Sequence, residues 1–319
     1  MFRSKKIGLY LLFFLILNIE CPSLTIDIHV IGVRRVGFFA SFFRVLNNLD
    51  WCKKTGAIPV VYWHSKCLYW QEEAFNRSFN AWEYYFEPVS SQNYPPGYCI
   101  HDNFQAFDAI WPYWISLPQA VRNRASALVS EYIKVKPYVL EIVNKFFEKH
   151  FNNCVTIGIH LRGTDKYLDV KPVDPIVILN VARMYAEKFQ DHLVKFFVAS
   201  DEQRLVDLAI EQLAGYEVVV YPAYRSTTGE PIHLSMINNK AQRGLEVLVD
   251  ALLLSRCSVF IHTSSNVSNA VLVFNPQLQN LESTQLNGIG IFVDYVPCKL
   301  GFRLDAENLM VEKLCLQDL

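Results

Sequence analysis

The residues best suited to chemistry lie in four polar clusters, each following a run of apolar and β-branched residues. In chain order the clusters are His160-Leu161-Arg162-Gly163-Thr164-Asp165-Lys166, Ser200-Asp201-Glu202, a loop with Tyr224, Arg225 and Thr227, and His262-Thr263-Ser264-Ser265-Asn266. Cations, small residues and hydroxyls in this combination are typical of a site for a phosphorylated ligand.

A nucleotide diphosphate matches the types of these residues. Arg162 can donate two parallel hydrogen bonds to phosphate oxygens and keeps its charge at any relevant pH. Gly163 allows a ligand to approach the backbone closely. Ser264 and Ser265 open a predicted helix, whose free N–H groups and positive end favour an anion. Asp250, in the preceding predicted helix, has a carboxylate that can accept hydrogen bonds from the edge of a base.

Each of these polar residues also has an alternative in which it serves the fold and contacts no ligand. These alternatives are N-cap roles for Asp201 and Ser264, an ion pair between Arg162 and Asp165, a pair between Asp250 and Arg243, and a hydrogen-bonded core position for His160. Such local partners are common for polar residues at the ends of helices and strands. The sequence alone leaves these alternatives open.

Several common catalytic and cofactor motifs are absent from the sequence. It contains no G-x-G-x-x-G, P-loop, H-E-x-x-H, G-x-S-x-G or C-x-x-C pattern. It also lacks an Asp-x-Asp pair, the usual carboxylate pair that holds a metal ion on a nucleotide sugar. We therefore expect no metal and no cofactor, with side-chain cations neutralising the diphosphate.

The elements that position the clusters alternate between strands and helices. Strands are predicted at 155–160, 195–199, 217–221 and 258–261, and helices at 174–189, 202–213, 239–255 and 265–274. This order predicts an α/β fold with a parallel sheet that is covered on both faces. Because ligands bind beyond the carboxyl ends of such strands, all four clusters should meet at one edge of the sheet.

The N-terminal half begins with a βαβ pattern, with strands at 25–31 and 58–63 around a helix at 38–49. The stretch from about 64 to 150 is less regular and rich in aromatic residues, and a helix from about 117 to 150 is interrupted near Pro137. We predict an N-terminal domain over residues 24–150 and a nucleotide-binding domain over 151–319. The aromatic residues suit either core packing or stacking on a sugar ring.

Composition excludes two broad classes of protein. The 319 residues include 30 Lys and Arg against 31 Asp and Glu, which gives a formal net charge of −1. Hydrophobic residues make up 51% and charged residues 19%, so the chain has enough apolar surface to fold. The near-zero charge provides no general attraction to nucleic acid, and we expect no such partner.

Residues 1–23 are predicted to form a signal peptide or a signal anchor. Arg3, Lys5 and Lys6 precede an apolar run from Ile7 to Ile19, which is shorter than the ~20 residues of a full membrane span. The alternative is a hydrophobic first element of the fold. A basic N-terminus stays in the cytosol, so we expect a secretory-pathway or membrane-anchored protein, lumenal in the Golgi of a eukaryote. For a bacterial protein the alternative is a cytoplasmic or membrane-associated location.

The clusters resemble the motifs of a known superfamily. His160-Leu161-Arg162-Gly163-Thr164-Asp165-Lys166 is similar to the H-x-R-[RG]-T-D-K motif of α1,6-fucosyltransferases, nodulation fucosyltransferases and protein O-fucosyltransferases. Val198-Ala199-Ser200-Asp201-Glu202 resembles the second motif, and Arg243-Gly244, Asp250 to Ser255 and Thr263-Ser264-Ser265 resemble the third. The resemblance covers about residues 153 to 275. It implies a GT-B-like fold of two Rossmann-like domains with parallel sheets.

The resemblance also implies an activity and a set of roles. It implies a metal-independent, inverting glycosyltransferase that transfers fucose from GDP-fucose to a hydroxyl of a glycan or protein acceptor. The implied donor-binding residues are Arg162, Ser264 and Ser265 at the diphosphate, His160 and Asp250 at guanine, Asp201 near the nucleotide, and Gly163 and Asp165 of the first motif. The domain over residues 24–150 would then be the acceptor-side domain. The alternatives are a transferase for another GDP-sugar and a non-catalytic sugar-binding relative. Gly163 stands where the core α1,6 enzymes have a second arginine, which leaves the acceptor open.

Three residues are predicted to serve the chemistry directly. Arg162 and Lys166 are the cations that stabilise the departing diphosphate. Asp169 is the candidate general base because it follows the first motif on the same loop. Asp165 and Glu202 are the alternative bases.

Overall fold

The protein is described by a computed structural model over residues 27–94, 100–101, 117–163, 173–229, 239–283, 291–292, 300–304 and 311–315. The predicted leader over residues 1–23 lies outside this part of the chain. Within the described residues, no helix combines the length and the apolar character that crossing a bilayer requires. The fold is built on two parallel sheets, one from each half of the chain.

The N-terminal sheet has three parallel strands in the order β2-β1-β3. Its strands are β1 (Ile28–Ile31), β2 (Ile58–Val61) and the short β3 (Ile100–His101). Helix α1 (Phe38–Thr55) joins β1 to β2 and ends at Gly56, whose φ of 79° is the left-handed conformation that glycine adopts without strain. The predicted βαβ opening is therefore present.

The predicted helix over 117–150 is two helices, α2 (Gln119–Tyr132) and α3 (Pro137–His150). Ile133 is extended, and so is Lys136, which precedes Pro137. A residue before proline is pushed out of the helical region, and proline fits best in the first turn of a helix. The predicted interruption near Pro137 is confirmed.

The C-terminal sheet has five parallel strands in the order β6-β5-β4-β7-β8. They are β4 (Val155–Leu161), β5 (Val194–Ser200), β6 (Glu217–Val219), β7 (Val259–His262) and β8 (Gln279–Glu282). Helices α4 (Pro175–Ala186) and α5 (Gln203–Gln212) pack on one face. Helices α6 (Lys240–Leu254) and α7 (Asn266–Phe274) pack on the other face, so the sheet is covered on both sides as predicted.

Three further strands follow this sheet near the C-terminus. β9 (Ile291–Phe292), β10 (Leu300–Leu304) and β11 (Val311–Cys315) form an antiparallel sheet in the order β11-β10-β9. The sequence analysis predicted none of them. They lie well after the strands that position the polar clusters.

One continuous apolar core connects the two halves. Helices α2 and α1 pack against α7, and α3 packs against α6. The rings of Phe42 and Phe274 have centroids 5.6 Å apart, and those of Phe151 and Phe197 are 5.4 Å apart. Many of the aromatic side chains that the structure describes in the N-terminal half are buried in this core, including Trp63, Trp82, Tyr85 and Phe86. The domain boundary near residue 150 remains a prediction.

Gly244 marks the closest approach between the halves. A Cβ atom at this position would overlap the hydroxyl and ring of Tyr85, and the Tyr85 hydroxyl donates a hydrogen bond of 2.9 Å to the carbonyl oxygen of Ala241. The glycine of the third motif is therefore explained by packing between α6 and the aromatic half.

Replacing Gly244 by alanine should lower the free energy of unfolding by about 1–3 kcal/mol, because Tyr85 must move and its bond to α6 is strained. Urea unfolding of the intact protein measures this loss. Gly37→Ala is the matched control, because a Cβ at Gly37 meets no atom within 4 Å. Equal stability of the two variants would contradict this account of the packing.

Candidate functional site

The carboxyl ends of the central strands lie side by side. In the parallel register Leu161 pairs with Ser200, His160 with His262, and His262 with Glu282. The polar residues that follow β4, β5 and β7 are therefore neighbours at one edge, as the sequence predicted. The strand order also changes direction between β4 and β7, and such switch points are where open α/β sheets bind ligands.

Arg162 and Asp201 form the centre of this edge. Arg162 Nε lies 3.0 Å from Asp201 Oδ2, and the Gly163 N–H donates to Asp201 Oδ1 over 2.9 Å. The Arg162 N–H donates to Thr263 Oγ1 over 3.1 Å. Asp201 thus orients the guanidinium and holds the start of the loop after β4, while Thr263 ties that loop to β7.

The N-cap alternative for Asp201 is not what the structure contains, and the alternative ion pair of Arg162 with Asp165 lies outside the described residues. The N-cap of α5 is Glu202, which makes no side-chain capping bond, and the Asp201 carboxylate turns instead toward β4. Thr164, Asp165, Lys166 and Asp169 lie in the stretch 164–172, outside the described residues. The predicted roles of Lys166, Asp165 and Asp169 therefore remain predictions.

Gly163 is closely packed against the start of α5. A Cβ atom there would overlap the Glu202 carboxylate and lie 2.9 Å from Leu205 Cδ1. Glu202 is buried and accepts a hydrogen bond from Arg204 Nε over 2.9 Å. A larger side chain at position 163 would therefore require the Glu202 and Leu205 side chains to move, and the predicted approach of a diphosphate to the Gly163 backbone stays a prediction.

The turn from Thr263 to Ser265 opens helix α7. Ser265 is its N-cap, and its Oγ accepts from the Ser268 N–H over 3.0 Å. The N-cap role considered for Ser264 therefore belongs to Ser265. The buried Ser264 hydroxyl has no hydrogen-bond partner in the described structure. A buried hydroxyl at the positive end of a helix is suited to donate to an anion.

The His160 side chain is hydrogen-bonded to Ser268, which follows this turn in α7. Its Nδ1 lies 3.0 Å from Ser268 Oγ, and the Ser268 hydroxyl donates to the Thr263 carbonyl oxygen over 2.7 Å. Because the Ser268 hydroxyl donates its proton to the Thr263 carbonyl oxygen, it accepts a hydrogen bond from His160. We therefore assign His160 as protonated on Nδ1. His160 is buried and hydrogen-bonded, which fits the core alternative, and its contact with guanine stays a prediction.

Asp250 is a buried carboxylate on α6. Burial raises its pKa to about 7, although the nearby Arg225 cation lowers it. Asp250 Oδ1 has no hydrogen-bond partner in the described structure. Arg225 is also buried and donates to the carbonyl oxygens of Ala223 and Tyr221, over 2.8 Å in each case. The cation that acts on Asp250 is thus Arg225, and the proposed pair with Arg243 is not what the structure contains.

Tyr69 is a residue of this region that the sequence analysis missed. Its buried hydroxyl accepts a hydrogen bond of 3.0 Å from the Phe38 N–H, at the start of α1. Burial raises the pKa of Tyr69 to about 12, and the positive charges of Arg162 and Arg243 lower it in part. Tyr69 and the start of α1 therefore lie near Arg162 and Arg243. Nothing in the local sequence separates Tyr69 from the other aromatic residues around it.

No metal site stands out at this edge. Among the side chains that the structure describes, no group of three or more His, Cys, Asp and Glu residues could hold a metal ion. Metal-independent chemistry stays a prediction.

Two parallel sheets, one from each half of the chain, with polar residues at the carboxyl edge of the second, define a GT-B-like α/β fold. The fold is similar to that of the NodZ alpha-1,6-fucosyltransferase co-crystallized with GDP, at 20% identity and a TM-score of 0.50 over 80% of this chain and 94% of that chain. It is also similar to the fucosyltransferase NodZ from Bradyrhizobium, at 19% identity and a TM-score of 0.51 over 81% and 95% of the two chains.

No protein-family model matches the sequence, and no curated protein is significantly similar to it. The chain therefore shares the fold of these fucosyltransferases, and the predicted fold class is confirmed. The resemblance that the motifs indicated is confirmed at the level of the fold. Identities of this size leave the activity and the roles of individual residues to be argued from the site.

Proposed function

We propose that this protein is a glycosyltransferase that transfers fucose from GDP-fucose to a hydroxyl of a glycan or protein acceptor, without a metal ion and with inversion at the anomeric carbon. The observation that carries the proposal is the Arg162–Asp201 pair beside the buried Ser264 hydroxyl, at the switch point of a sheet with the fucosyltransferase fold. The NodZ enzyme of similar fold was crystallised with GDP, which supports the choice of nucleotide.

The diphosphate is bound by three kinds of donor in this proposal. Arg162 donates charge-assisted hydrogen bonds, Ser264 donates its hydroxyl, and the first N–H groups of α7 add the positive end of the helix. Lys166 supplies a second cation. These groups neutralise the charge that develops on the leaving diphosphate, which is the task of a metal in other transferases.

The nucleoside is recognised at α6 and β4. The Asp250 carboxylate is an acceptor without a partner in the described structure, and guanine presents adjacent N–H donors along one edge. His160 forms the other contact with the base. Burying these donors and acceptors without a base costs free energy, so the site favours guanine over bases that lack the matching donors.

The reaction is a single displacement. The acceptor oxygen attacks C1 of fucose, the bond from C1 to the diphosphate oxygen breaks, and its electron pair leaves with GDP. Asp169 takes the proton of the acceptor hydroxyl, with Asp165 and Glu202 as the alternative bases. Attack on the face opposite GDP inverts the configuration at C1.

The test is a donor panel in the presence of EDTA. GDP-fucose, GDP-mannose and UDP-sugars are incubated with the protein, and release of the nucleotide is measured with and without a glycan-array acceptor mixture. We expect release from GDP-fucose alone. Release from another GDP-sugar would identify the second candidate, a transferase for a different sugar. Binding of GDP without release from any donor would favour a non-catalytic sugar-binding relative.

We also propose that the N-terminal leader directs the protein to the secretory pathway or anchors it to a membrane, in the Golgi lumen of a eukaryote. The basis is the basic flank before the apolar run from Ile7 to Ile19. Fractionation of an N-terminally intact chain with a C-terminal tag tests this location and the cleavage. A full-length chain in the soluble cytosolic fraction would contradict it.

A further inference from the structure

A cavity lies in the N-terminal half of the chain. None of its lining residues belongs to the donor edge, by which we mean the polar residues Arg162, Asp201 and Thr263 to Ser265. The volume of the cavity is about 100 Å³, and it opens at the carboxyl end of β2. The walls come from β2, from the 3-10 turn Ala81–Tyr84 and from the segment that runs to Tyr94. The lining residues with polar or aromatic side chains are Tyr62, Asn80, Glu83, Ser90, Gln92, Asn93 and Tyr94.

One wall of the cavity is aromatic. The rings of Tyr62 and Tyr94 are stacked with their centroids 4.3 Å apart and their planes 3° apart. Both side chains are half-buried, and the apolar Val60 and Val61 lie beside them. Stacking covers one face of each ring, so an outer face of the pair is what can contact the C–H face of a pyranose ring, which also brings hydroxyls around its rim.

The opposite side offers a carboxylate that is held in place. Glu83 Oε2 accepts from the Ser78 hydroxyl over 2.9 Å, and Oε1 accepts from Asn80 Nδ2 over 3.0 Å. Asn80 is itself buried, and its Oδ1 accepts hydrogen bonds from the backbone N–H groups of Trp63 and Trp82 over 2.8 and 3.2 Å. These bonds use two of the roughly four acceptor positions of the carboxylate. The others suit hydroxyl donors.

The cavity opens at the carboxyl edge of the N-terminal sheet. Tyr62 follows β2 directly, and its N–H donates to the carbonyl oxygen of Ile31 at the end of β1. Seven residues further on, Tyr69 contacts the start of α1. Burial raises the pKa of Tyr69, and the positive charges of Arg162 and Arg243 lower it in part. Seven residues span at most about 25 Å, which bounds the distance from the cavity to Tyr69.

We propose that this cavity is an acceptor subsite that binds one neutral pyranose ring of an oligosaccharide, with the ring on the Tyr62–Tyr94 wall and its hydroxyls on Glu83. The Glu83 charge repels acidic sugars, so the ligand class is a neutral glycan. The inference rests on the proposed function, because it assigns an acceptor subsite of the same reaction.

The experiment measures glycan binding separately from donor binding. Neutral tetrasaccharides (cello-, chito- and maltotetraose) are titrated with the intact protein, with and without GDP, and intrinsic fluorescence reports binding. Oligogalacturonate is the acidic comparison. We expect at least one neutral tetrasaccharide to bind and the acidic one to bind roughly tenfold more weakly or not at all. Absence of binding by all neutral probes at millimolar concentration overturns the proposal.

Variants locate the binding to the cavity. Tyr94→Ala and Glu83→Gln should each weaken binding of the neutral probe by roughly tenfold, while stabilisation by GDP is unchanged. Phe79→Ala is the matched control, an exposed aromatic residue outside the cavity. Unchanged glycan affinity in both cavity variants would overturn the subsite. If GDP does not stabilise the wild-type protein, the donor assignment is refuted and the glycan subsite is not, because glycan binding is measured separately.

Discussion

Replacing Arg162 by alanine is expected to abolish the rise in melting temperature that GDP causes. The variant loses the charge-assisted hydrogen bonds to the diphosphate, worth about 1.5–3 kcal/mol each. Transfer activity should fall further, by about 10²–10³-fold, since the same cation meets the charge on the leaving group. Thermal unfolding with and without millimolar GDP, in EDTA, measures the first effect.

The structure also supplies the controls for this variant. Removing Arg162 takes away the ion pair of Asp201, whose side chain is only 13% exposed. Some loss of stability without ligand is therefore expected from the single variant. The double variant Arg162→Ala/Asp201→Asn removes this buried charge and should recover stability without recovering the response to GDP. Arg162→Lys keeps the charge but loses the planar fork, and we expect an intermediate response. A full GDP shift in the alanine variant would contradict the assignment.

Asp250→Asn is expected to have two opposite effects, on stability and on nucleotide binding. Burial raises the pKa of Asp250 to about 7 in the folded protein, from the ordinary value of 3.8 for a solvated aspartate. The folded state therefore binds more protons than the unfolded state between about pH 4 and pH 7, so the wild type loses stability as pH rises through this window. Asparagine does not titrate, so its stability does not fall in this window. The free energy of unfolding of the variant should therefore exceed that of the wild type by up to about 4 kcal/mol above pH 7.

The same substitution should weaken GDP binding by about 10–100-fold, because asparagine offers one acceptor oxygen where guanine needs two. Guanine donors prefer the ionised carboxylate, so the affinity of the wild type should rise with pH toward pH 7, and that of the variant should not. Calorimetric titration at pH 5.5, 6.5 and 7.5 measures both. A variant that is more stable and binds GDP normally would assign Asp250 to the fold alone.

Much of the second half could be predicted because β4, β5 and β7 are short, continuous runs of buried, largely apolar residues. β4 and β5 were predicted within one residue of their observed ends, and helices α5, α6 and α7 likewise. Parallel strands that are covered on both faces give this signal directly. The grouping of Arg162, Asp201 and Thr263 followed from the same rule, since parallel strands bring their carboxyl ends to one edge.

The remaining features depend on partners far apart in sequence. β8 was missed because Gln279, Asn280 and Glu282 lack an apolar pattern, yet they pair with β7. The Asp201 carboxylate binds the backbone of a residue 38 positions earlier, where its own helix start suggested a cap. The contact of Gly244 with Tyr85 is equally long-range. Only the folded chain brings such pairs together.

The most direct test of the account is calorimetric titration of the wild-type protein with GDP, UDP and ADP in EDTA. The account predicts that GDP binds without metal, at least tenfold more tightly than either other nucleotide. Binding of GDP that needs a divalent cation, or equal affinity for all three nucleotides, would contradict the assignment of Arg162 and Asp250 to a metal-independent GDP-sugar site.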